Sequence, residues 1–213
     1  MPLASEVRFF DMGLIERSGM SKIKVLENFI DSDDIKTAIS LIDMLVDNNG
    51  KDSIVGYSED PQSLVQHARH VFTDPQYPEV EALVKKYHSK VLQIDDAYAN
   101  TYPHSVILVR YDIGGELELH NDFENYSPCD HCTHANAVYL NDDFVGGDIY
   151  FPEVGESFHP AAGTLVYFPQ TSVTEDHSDM IHGVTPVTSG TKYLINFCVT
   201  TDPNRIMSLS KQT

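Results

Sequence analysis

The chain has 213 residues, of which 41% are hydrophobic and 10% aromatic, enough to build a sizeable buried core. Its 32 acidic residues outnumber its 14 lysines and arginines and give a formal net charge of −18 at pH 7. A surface of this sign repels phosphate groups, which argues against a nucleic acid or an anionic membrane as a partner.

The sequence carries no recognisable export signal. Its first residues lack a basic region followed by an apolar stretch, and no window of the sequence reaches transmembrane length. The three cysteines are an odd number and do not suggest a disulfide framework. We therefore expect a cytoplasmic protein.

The first half of the chain is expected to contain one strand and two helices. Residues 1–21 carry little pattern and are expected to form a loose arm or an edge strand, whereas residues 22–30 are expected to form a strand. The run Asp31-Ser32-Asp33-Asp34 offers N-caps for a helix whose apolar residues recur at helical spacing until Asn48-Asn49-Gly50, and a second pattern of this kind begins at about Pro78. The apolar faces of the two helices are formed by Ile35, Ala38, Ile39, Ile42, Leu45 and Val46 and by Val80, Leu83, Val84, Tyr87 and Val91.

From about Ser105 onward, short apolar or alternating runs follow one another and are separated by turn signals. The predicted strands cover residues 106–111, 116–122, 136–140, 148–151, 164–168, 181–187 and 192–200. Many short strands at this spacing indicate a sandwich or barrel. We therefore predict an α+β fold that is mainly β, with a double-stranded β-helix (jelly-roll) core buttressed by N-terminal helices.

A chain of this length is most simply one domain, and we expect a single domain over residues 1–213. Within it, the strand and the supporting helices are expected in residues 22–103. The jelly-roll core with the candidate site is expected in residues 104–200.

Three residues of the predicted strands form a candidate metal site. His120 and Asp122 are two positions apart, so on a strand they would point to the same side, and His182 lies on a later strand. Two histidines and one carboxylate on one face of an octahedron leave three positions open, which is the arrangement of non-haem Fe(II) oxygenases. Lys192 is a lone cation downstream of His182 that could hold the carboxylate of a bound co-substrate.

Further motifs surround this candidate site. Tyr111-x-x-Gly114 precedes His120-x-Asp122, and His182 opens the run His-Gly-Val-Thr-Pro-Val-Thr-Ser-Gly-Thr-Lys-Tyr of residues 182–193. Between them lie Tyr-Leu-Asn at 139–141, Gly-Gly-Asp-Ile-Tyr-Phe at 146–151 and Gly-Thr-Leu-Val-Tyr-Phe at 163–168. In their order, and over about residues 22 to 200, these motifs resemble the prolyl 4-hydroxylase-type 2-oxoglutarate/Fe(II) dioxygenases.

This resemblance implies a role for each matching residue. It implies that His120, Asp122 and His182 are the iron ligands. Lys192 is implied to pair with the distal carboxylate of 2-oxoglutarate, and Tyr111 to hydrogen-bond that co-substrate. The implied activity is hydroxylation of a peptidyl residue, with proline as the first candidate. It would use Fe(2+), 2-oxoglutarate and O2, would release succinate and CO2, and would have ascorbate as a further cofactor.

Three alternatives remain open from the sequence. The same chemistry could act on another side chain or on a small molecule, or the chain could be a catalytically silent jelly-roll module that binds a partner. A cupin-like structural metal protein would not explain Lys192. The intact set of candidate ligands favours an enzyme with a peptide or protein substrate. No readable pattern encodes the oligomeric state.

The cysteines form a separate pattern. Cys129-x-x-Cys132, with histidines nearby, offers half of a zinc site, because a structural zinc site needs four ligands. Cys198, the third cysteine, is expected in the core. We expect residues 123–135 to form a loop at the substrate entrance, and this loop and the irregular segment 51–77 are the expected determinants of substrate choice.

Three more polar residues have weaker assignments. His67 and His70 are spaced as on one helical face, but no carboxylate or third partner accompanies them, and we expect them at the surface. Asn196 shares a strand face with Lys192 and is a candidate for the lining of the active site.

Overall fold

The computed structural model of the protein describes residues 23–54, 68–120, 122, 132–170 and 181–205, so the predicted arm at residues 1–21 lies outside the described residues. The described helices are α1 (Ser32–Asn49) and α2 (Pro78–Val91). The described strands are β1 (Lys24–Leu26), β2 (Arg69–Thr73), β3 (Tyr102–Tyr111), β4 (Leu117–His120), β5 (Cys132–Tyr139), β6 (Val145–Gly146), β7 (Ile149–Phe151), β8 (Glu156–Phe158), β9 (Leu165–Pro169), β10 (His182–Val184), β11 (Val187–Ser189) and β12 (Lys192–Thr200).

Both helices begin where the sequence predicts. The Asp31 carboxylate accepts hydrogen bonds from the backbone N–H groups of Asp33 and Asp34, at 3.2 and 2.9 Å, and so caps α1. Pro78 occupies the first turn of α2, where its missing N–H group has no partner to lose. Neither helix is long and apolar enough to cross a membrane, and the same holds throughout the described residues.

The strands form two main antiparallel sheets. The larger sheet has six strands in the order β1-β9-β5-β12-β3-β2, and the smaller has four in the order β4-β10-β7-β8. β6 and β11 pair separately. The described part of the chain is therefore mainly β with two helices, and its two sheets confirm the predicted jelly-roll type of fold.

The two faces of the six-stranded sheet have different neighbours. Its helix-facing side carries Leu108 and Phe197, which share one hydrophobic cluster with apolar residues of α1 and α2. Its inner face carries Val109, Tyr111 and Leu194, which cluster with Val184 of the smaller sheet. The inner face consequently borders the space between the two sheets.

Some predicted elements need correction. The strand predicted over residues 181–187 is two strands, β10 and β11, in different sheets. Pro186 lies between them, and a proline cannot donate a hydrogen bond to a neighbouring strand. The predicted strand 22–30 is shorter, since β1 covers only Lys24–Leu26.

The segment 51–77, predicted to be irregular, contains β2 at the edge of the larger sheet. The prediction of a surface position for His70 is wrong. Its side chain is buried, and its Nδ1 lies 2.7 Å from the Ser53 hydroxyl. This short strand leaves no two-residue period to read, because burial along it does not alternate. His67 lies outside the described residues.

Candidate metal and co-substrate site

Strand pairing brings two of the three candidate metal ligands together. His120 is the last residue of β4 and His182 the first residue of β10, and the two are direct partners in the antiparallel register. Their imidazole centroids lie 4.3 Å apart. Both side chains are largely buried, with 9% and 8% of their surface exposed. One pair of neighbouring strands therefore brings together two histidines that lie 62 positions apart in the sequence.

Asp122 completes the group from outside the strand. The structure ends β4 at His120, so the predicted strand 116–122 is too long and the alternation argument does not place Asp122. Its Oδ1 nevertheless lies 3.0 Å from His120 Nε2, and its Oδ2 lies 4.0 Å from His182 Nε2. One ligand atom from each of these residues lies within 4.8 Å of the others. Among the described residues this is the one such group of three or more histidine, cysteine or acidic side chains.

The hydrogen bonds of His120 fit a bound cation. His120 Nδ1 lies 2.8 Å from the carbonyl oxygen of Glu118, which can only accept, so Nδ1 carries the proton. In the neutral imidazole, Nε2 then directs a lone pair at the Asp122 carboxylate, whereas in the imidazolium Nε2 donates a hydrogen bond to it. Two electron-rich atoms at this distance repel each other unless a proton or a metal ion lies between them. The donor set of two imidazoles and one carboxylate therefore fits a divalent metal such as Fe(2+).

Gln170 is a site residue that the sequence analysis missed. It follows β9, is 4% exposed, and donates a side-chain hydrogen bond to Oδ2 of Asp122. Its own backbone N–H donates to the carbonyl of Thr133 at 2.7 Å, which fixes its position. No motif marks this glutamine, because only the fold brings the end of β9 next to Asp122.

The surroundings of the group are apolar on one side and charged on the other. The rings of Phe151 and Phe168 lie 5.4 and 4.9 Å from the His182 ring. Burial acts to raise the pKa of the Asp122 carboxyl, but hydrogen bonding to His120 and the charge of His182 outweigh it and hold the pKa below its usual value. Asp122 is therefore an ionised carboxylate, as a metal ligand must be.

Lys192 lies in a cage of aromatic rings. Its side chain is fully buried, and its Nζ lies 5.1, 5.0 and 5.8 Å from the ring centroids of Tyr111, Tyr139 and Phe144. The ammonium donates one hydrogen bond, at 2.6 Å, to the carbonyl of Gly147. Burial lowers the pKa of Lys192 to about 7 despite the opposing charge of Asp148. A buried ammonium of this kind is suited to an anionic ligand.

The neighbours of Lys192 follow from the sheet register. Tyr111 is its direct partner on β3 and is 2% exposed. Gly147 has φ +68°, and a Cβ atom there would lie 3.2 Å from Lys192 Cδ and 3.0 Å from Phe144, so a larger residue would crowd the cage. Asn196 points to the same side of β12, and its Oδ1 is buried without a hydrogen-bond partner among the described residues. The proposed roles of these residues toward a co-substrate stay predictions.

The structure gives little support to a zinc or redox role for the cysteines. Cys129 lies outside the described residues, whereas Cys132 is buried and begins β5 instead of belonging to a loop. Cys198 lies on β12 and is only partly buried.

Residues 106–199 match the family model described as the 2OG-Fe(II) oxygenase superfamily. A mimivirus protein (Acanthamoeba polyphaga mimivirus) named "Putative prolyl 4-hydroxylase" is 38% identical over 61 residues. That alignment covers 28% of this chain and 25% of the viral protein, so the chain matches about a quarter of its curated relative. The family match implies Fe(2+) and 2-oxoglutarate as cofactor and co-substrate.

Solved structures share the fold at low sequence identity. The viral collagen prolyl hydroxylase of Paramecium bursaria Chlorella virus-1, solved with 2-oxoglutarate, has a TM-score of 0.64 and 17% identity, over 85% of this chain and 97% of that one. A prolyl-4-hydroxylase of Pseudomonas putida has a TM-score of 0.61 and 17% identity, over 85% and 93%. A Trichoplax adhaerens prolyl hydroxylase has a TM-score of 0.62 and 15% identity, over 90% and 88%.

The region of the family match covers most of β3, the strands β4 to β11 and most of β12, and it contains the residues of the candidate site. The enzyme class that the match indicates is a dioxygenase. The predicted resemblance to the prolyl 4-hydroxylase-type 2-oxoglutarate/Fe(II) dioxygenases is confirmed, since residues 106–199 match the model of the 2OG-Fe(II) oxygenase superfamily.

Proposed function

We propose that this chain is an Fe(II)- and 2-oxoglutarate-dependent hydroxylase of a peptidyl residue, with proline as the first candidate. The observation that carries the proposal is the convergence of His120, Asp122 and His182, whose ligand atoms lie within 4.8 Å of one another. In this assignment the two imidazoles and the carboxylate hold the metal. Lys192 and Tyr111 then hold 2-oxoglutarate.

The bound metal and co-substrate would activate O2 for hydroxylation, with succinate and CO2 as co-products. The protein's own residues have three tasks in this scheme. Gln170 holds one Asp122 oxygen, which orients the carboxylate toward the histidines. Lys192 offers a positive charge inside an aromatic cage, where a carboxylate meets little competing water. Phe151 and Phe168 pack against the His182 ring and limit the access of water from that side.

The choice of a peptide substrate is supported by similar proteins. The Trichoplax prolyl hydroxylase was solved in complex with a peptide fragment of the hypoxia inducible factor oxygen degradation domain. The Chlorella virus protein bears the name of a collagen prolyl hydroxylase. We extend the substrate class of these proteins, a peptide, to this chain.

Finer features belong to the same proposal. We propose that ascorbate sustains turnover, that the chain forms one domain over residues 1–213, and that α1 and α2 buttress the jelly roll. The buried apolar faces of both helices, which share a cluster with Leu108 and Phe197, support the last point.

The first experiment is anaerobic addition of Fe(II) and 2-oxoglutarate to the purified protein. We expect a weak visible charge-transfer band that bleaches on admission of O2, together with formation of succinate. Peptides that contain proline should then raise succinate formation above that of matched peptides with alanine in its place. If the iron-loaded protein shows no band, a silent jelly-roll binding module is the better description. If the band and succinate form but no proline peptide responds, the target is another side chain or a small molecule.

A further inference from the structure

Arg69 is a buried cation that the proposed function does not use. It is the first residue of the edge strand β2, and only 7% of its surface is exposed. Its Nε is fully buried and has no hydrogen-bond partner among the described residues. Burying a charged group without a partner is strongly unfavourable, so this position needs an explanation.

A shortage of acidic residues does not explain why Arg69 lacks a partner among the described residues. The chain has 32 acidic residues against 14 lysines and arginines, yet no described residue forms a hydrogen bond or ion pair with the Arg69 guanidinium. The carboxylate of Asp112 is engaged elsewhere. It accepts from Arg110 Nε at 2.8 Å and lies 3.4 Å from His70 Nε2. Arg110 and His70 are register partners of each other, offset by one residue from Arg69, so they lie on the opposite side of the sheet.

The sheet register places Arg69 beside the proposed co-substrate residues. Arg69 pairs with Tyr111 on β3, and Tyr111 pairs with Lys192 on β12, so the three side chains share the inner face. The Arg69 guanidinium carbon lies 5.9 Å from the Tyr111 ring centroid, and Lys192 Nζ lies 5.1 Å from the same centroid. Tyr111 is therefore in contact with a cation on each neighbouring strand, and only one of the two has an assigned ligand.

We propose that Arg69 is a second anion-binding residue, which binds a carboxylate group of the molecule to be hydroxylated. This inference rests on the proposed function and narrows its substrate class to peptides that carry a carboxylate, from an acidic side chain or the C-terminus, close to the residue to be hydroxylated. The planar guanidinium can bind a carboxylate with two parallel hydrogen bonds, which a lysine cannot do. The incoming anion would supply the partner that no described residue provides. Binding by Arg69 would thus distinguish an acid from its amide or ester.

The test uses acetate as the probe and the metal-free full chain. The thermal unfolding midpoint is measured in sodium acetate and in sodium chloride of equal ionic strength, at about pH 8.5, where arginine is fully charged. We expect acetate to raise the midpoint of the wild type, because it binds only the folded state. Arg69→Gln should lose this rise, with an apparent acetate affinity weakened about tenfold or more. Lys36→Gln, which removes one exposed positive charge, should keep it.

The same series contains the outcomes that would overturn the proposal. In chloride alone, R69Q should unfold at the wild-type midpoint or above it, since a buried unpaired charge has been removed. A clearly lower midpoint, or an unchanged response to acetate, would mean that Arg69 has a partner within the protein and that there is no anion site. Arg69→Lys should regain part of the response only as the pH is lowered, because burial lowers the pKa of a lysine. If neither variant folds, Arg69 has a structural role and the proposal is wrong.

A second arm identifies the source of the carboxylate. The titration is repeated with Mn(II) and saturating 2-oxoglutarate. A response to acetate that persists supports a carboxylate of the molecule to be hydroxylated, whereas a response that disappears would assign Arg69 to 2-oxoglutarate and overturn the substrate assignment. Because the metal-free titration needs no turnover, it is independent of the proposed activity. A protein that forms no succinate but responds to acetate through Arg69 would contradict the proposed function and leave the anion site in place.

Discussion

The two faces of the six-stranded sheet differ in whether their buried polar groups have hydrogen-bond partners. On the helix-facing side, the Tyr98 hydroxyl donates to Asn136 Oδ1 at 2.6 Å, and Asn136 Nδ2 donates to the carbonyl of Phe197 at 3.1 Å. On the inner face, Arg69 Nε and Asn196 Oδ1 are buried without a hydrogen-bond partner in the described part of the chain. The Tyr87 hydroxyl is an exception on the helix side, where it too lacks a partner.

This difference indicates which face is complete without a ligand. A buried polar group that lacks a partner lowers stability, so a face with several such groups is explained by a molecule that binds there. The helix-facing side contributes to stability through apolar packing. The inner face keeps hydrogen-bonding capacity for metal, co-substrate and substrate. Substitutions on the two faces should consequently separate stability from function.

The largest expected effect on function is at the metal site. His182→Ala removes one of the three proposed ligands and should reduce iron-dependent succinate formation to background. The Fe(II) concentration needed to load half of the protein, measured anaerobically by calorimetry, should rise sharply in the same variant. Near-normal turnover would show that the metal ligands are misassigned. His104→Ala, which removes a histidine outside the group, is the matched control.

Substitutions on the helix-facing side should lower the free energy of unfolding and leave metal binding unchanged. Phe197 is 1% exposed, and Phe197→Ala should lower the free energy of unfolding by about 3–5 kcal/mol, because it leaves a cavity. Urea denaturation measures this loss, and the Mn(II) affinity of the folded fraction should stay unchanged. Met44→Ala, at a residue that is 39% exposed, should cost less than about 1 kcal/mol. A Phe197 variant that loses metal affinity in the folded state would contradict the separation of the two faces.

Lys192, on the inner face, should set the affinity for 2-oxoglutarate. Lys192→Ala should raise the concentration of 2-oxoglutarate needed for half-maximal succinate formation about tenfold or more, because a charge-assisted hydrogen bond is lost. Affinity for Mn(II), measured without 2-oxoglutarate, should change far less. Unchanged values of both quantities would place the carboxylate partner elsewhere.

Gln170 should have a smaller effect through Asp122. Gln170→Ala removes the hydrogen bond to the carboxylate and should weaken Mn(II) binding about tenfold, since outer hydrogen bonds orient metal ligands. Calorimetry with Mn(II) alone measures this change without any turnover. Gln76→Ala, at an exposed glutamine, is the control and should bind Mn(II) as the wild type does. An equal affinity in both variants would mean that Gln170 does not position Asp122.

The smallest expected effect is a pH dependence of co-substrate binding near neutral pH. Burial lowers the pKa of Lys192 to about 7, so its ammonium form is lost as the pH rises through this value. Since only the ammonium attracts a carboxylate, the affinity for 2-oxoglutarate should fall by about threefold between roughly pH 6.5 and 7.5. Lys192→Arg stays charged throughout and should flatten the profile. A wild-type affinity that is independent of pH between 6 and 9 would contradict this role of Lys192.

Much of the fold could be predicted because periodicity is a local property. The residues predicted for the apolar faces of α1 and α2 include those that are buried, such as Ile42 and Tyr87, and β12 has the predicted bounds. Short edge strands could not be predicted. β2 has five residues whose burial does not alternate, and β6 and β8 have too few residues for a period to appear.

The residues of the candidate site could be predicted where they belong to a recognisable motif. His120, Asp122 and His182 could be named from spacing and resemblance, although the reason given for Asp122, a continuous strand, is wrong. Gln170 and Arg69 could not be named, because neither belongs to a motif. Each acquires its meaning from a neighbour distant in sequence, Asp122 for the glutamine and Tyr111 for the arginine.

The sequence by itself determined the residue types, their order along the chain and the periodicity of the longer elements, and with them the family resemblance and the candidate ligands. Only the tertiary structure decided which side chains meet. The antiparallel pairing of β4 with β10 joins His120 to His182, and the order β2-β3-β12 aligns Arg69, Tyr111 and Lys192 on one face. The physical reason is that strand register and sheet order depend on the burial of the whole core, which no local stretch of sequence specifies.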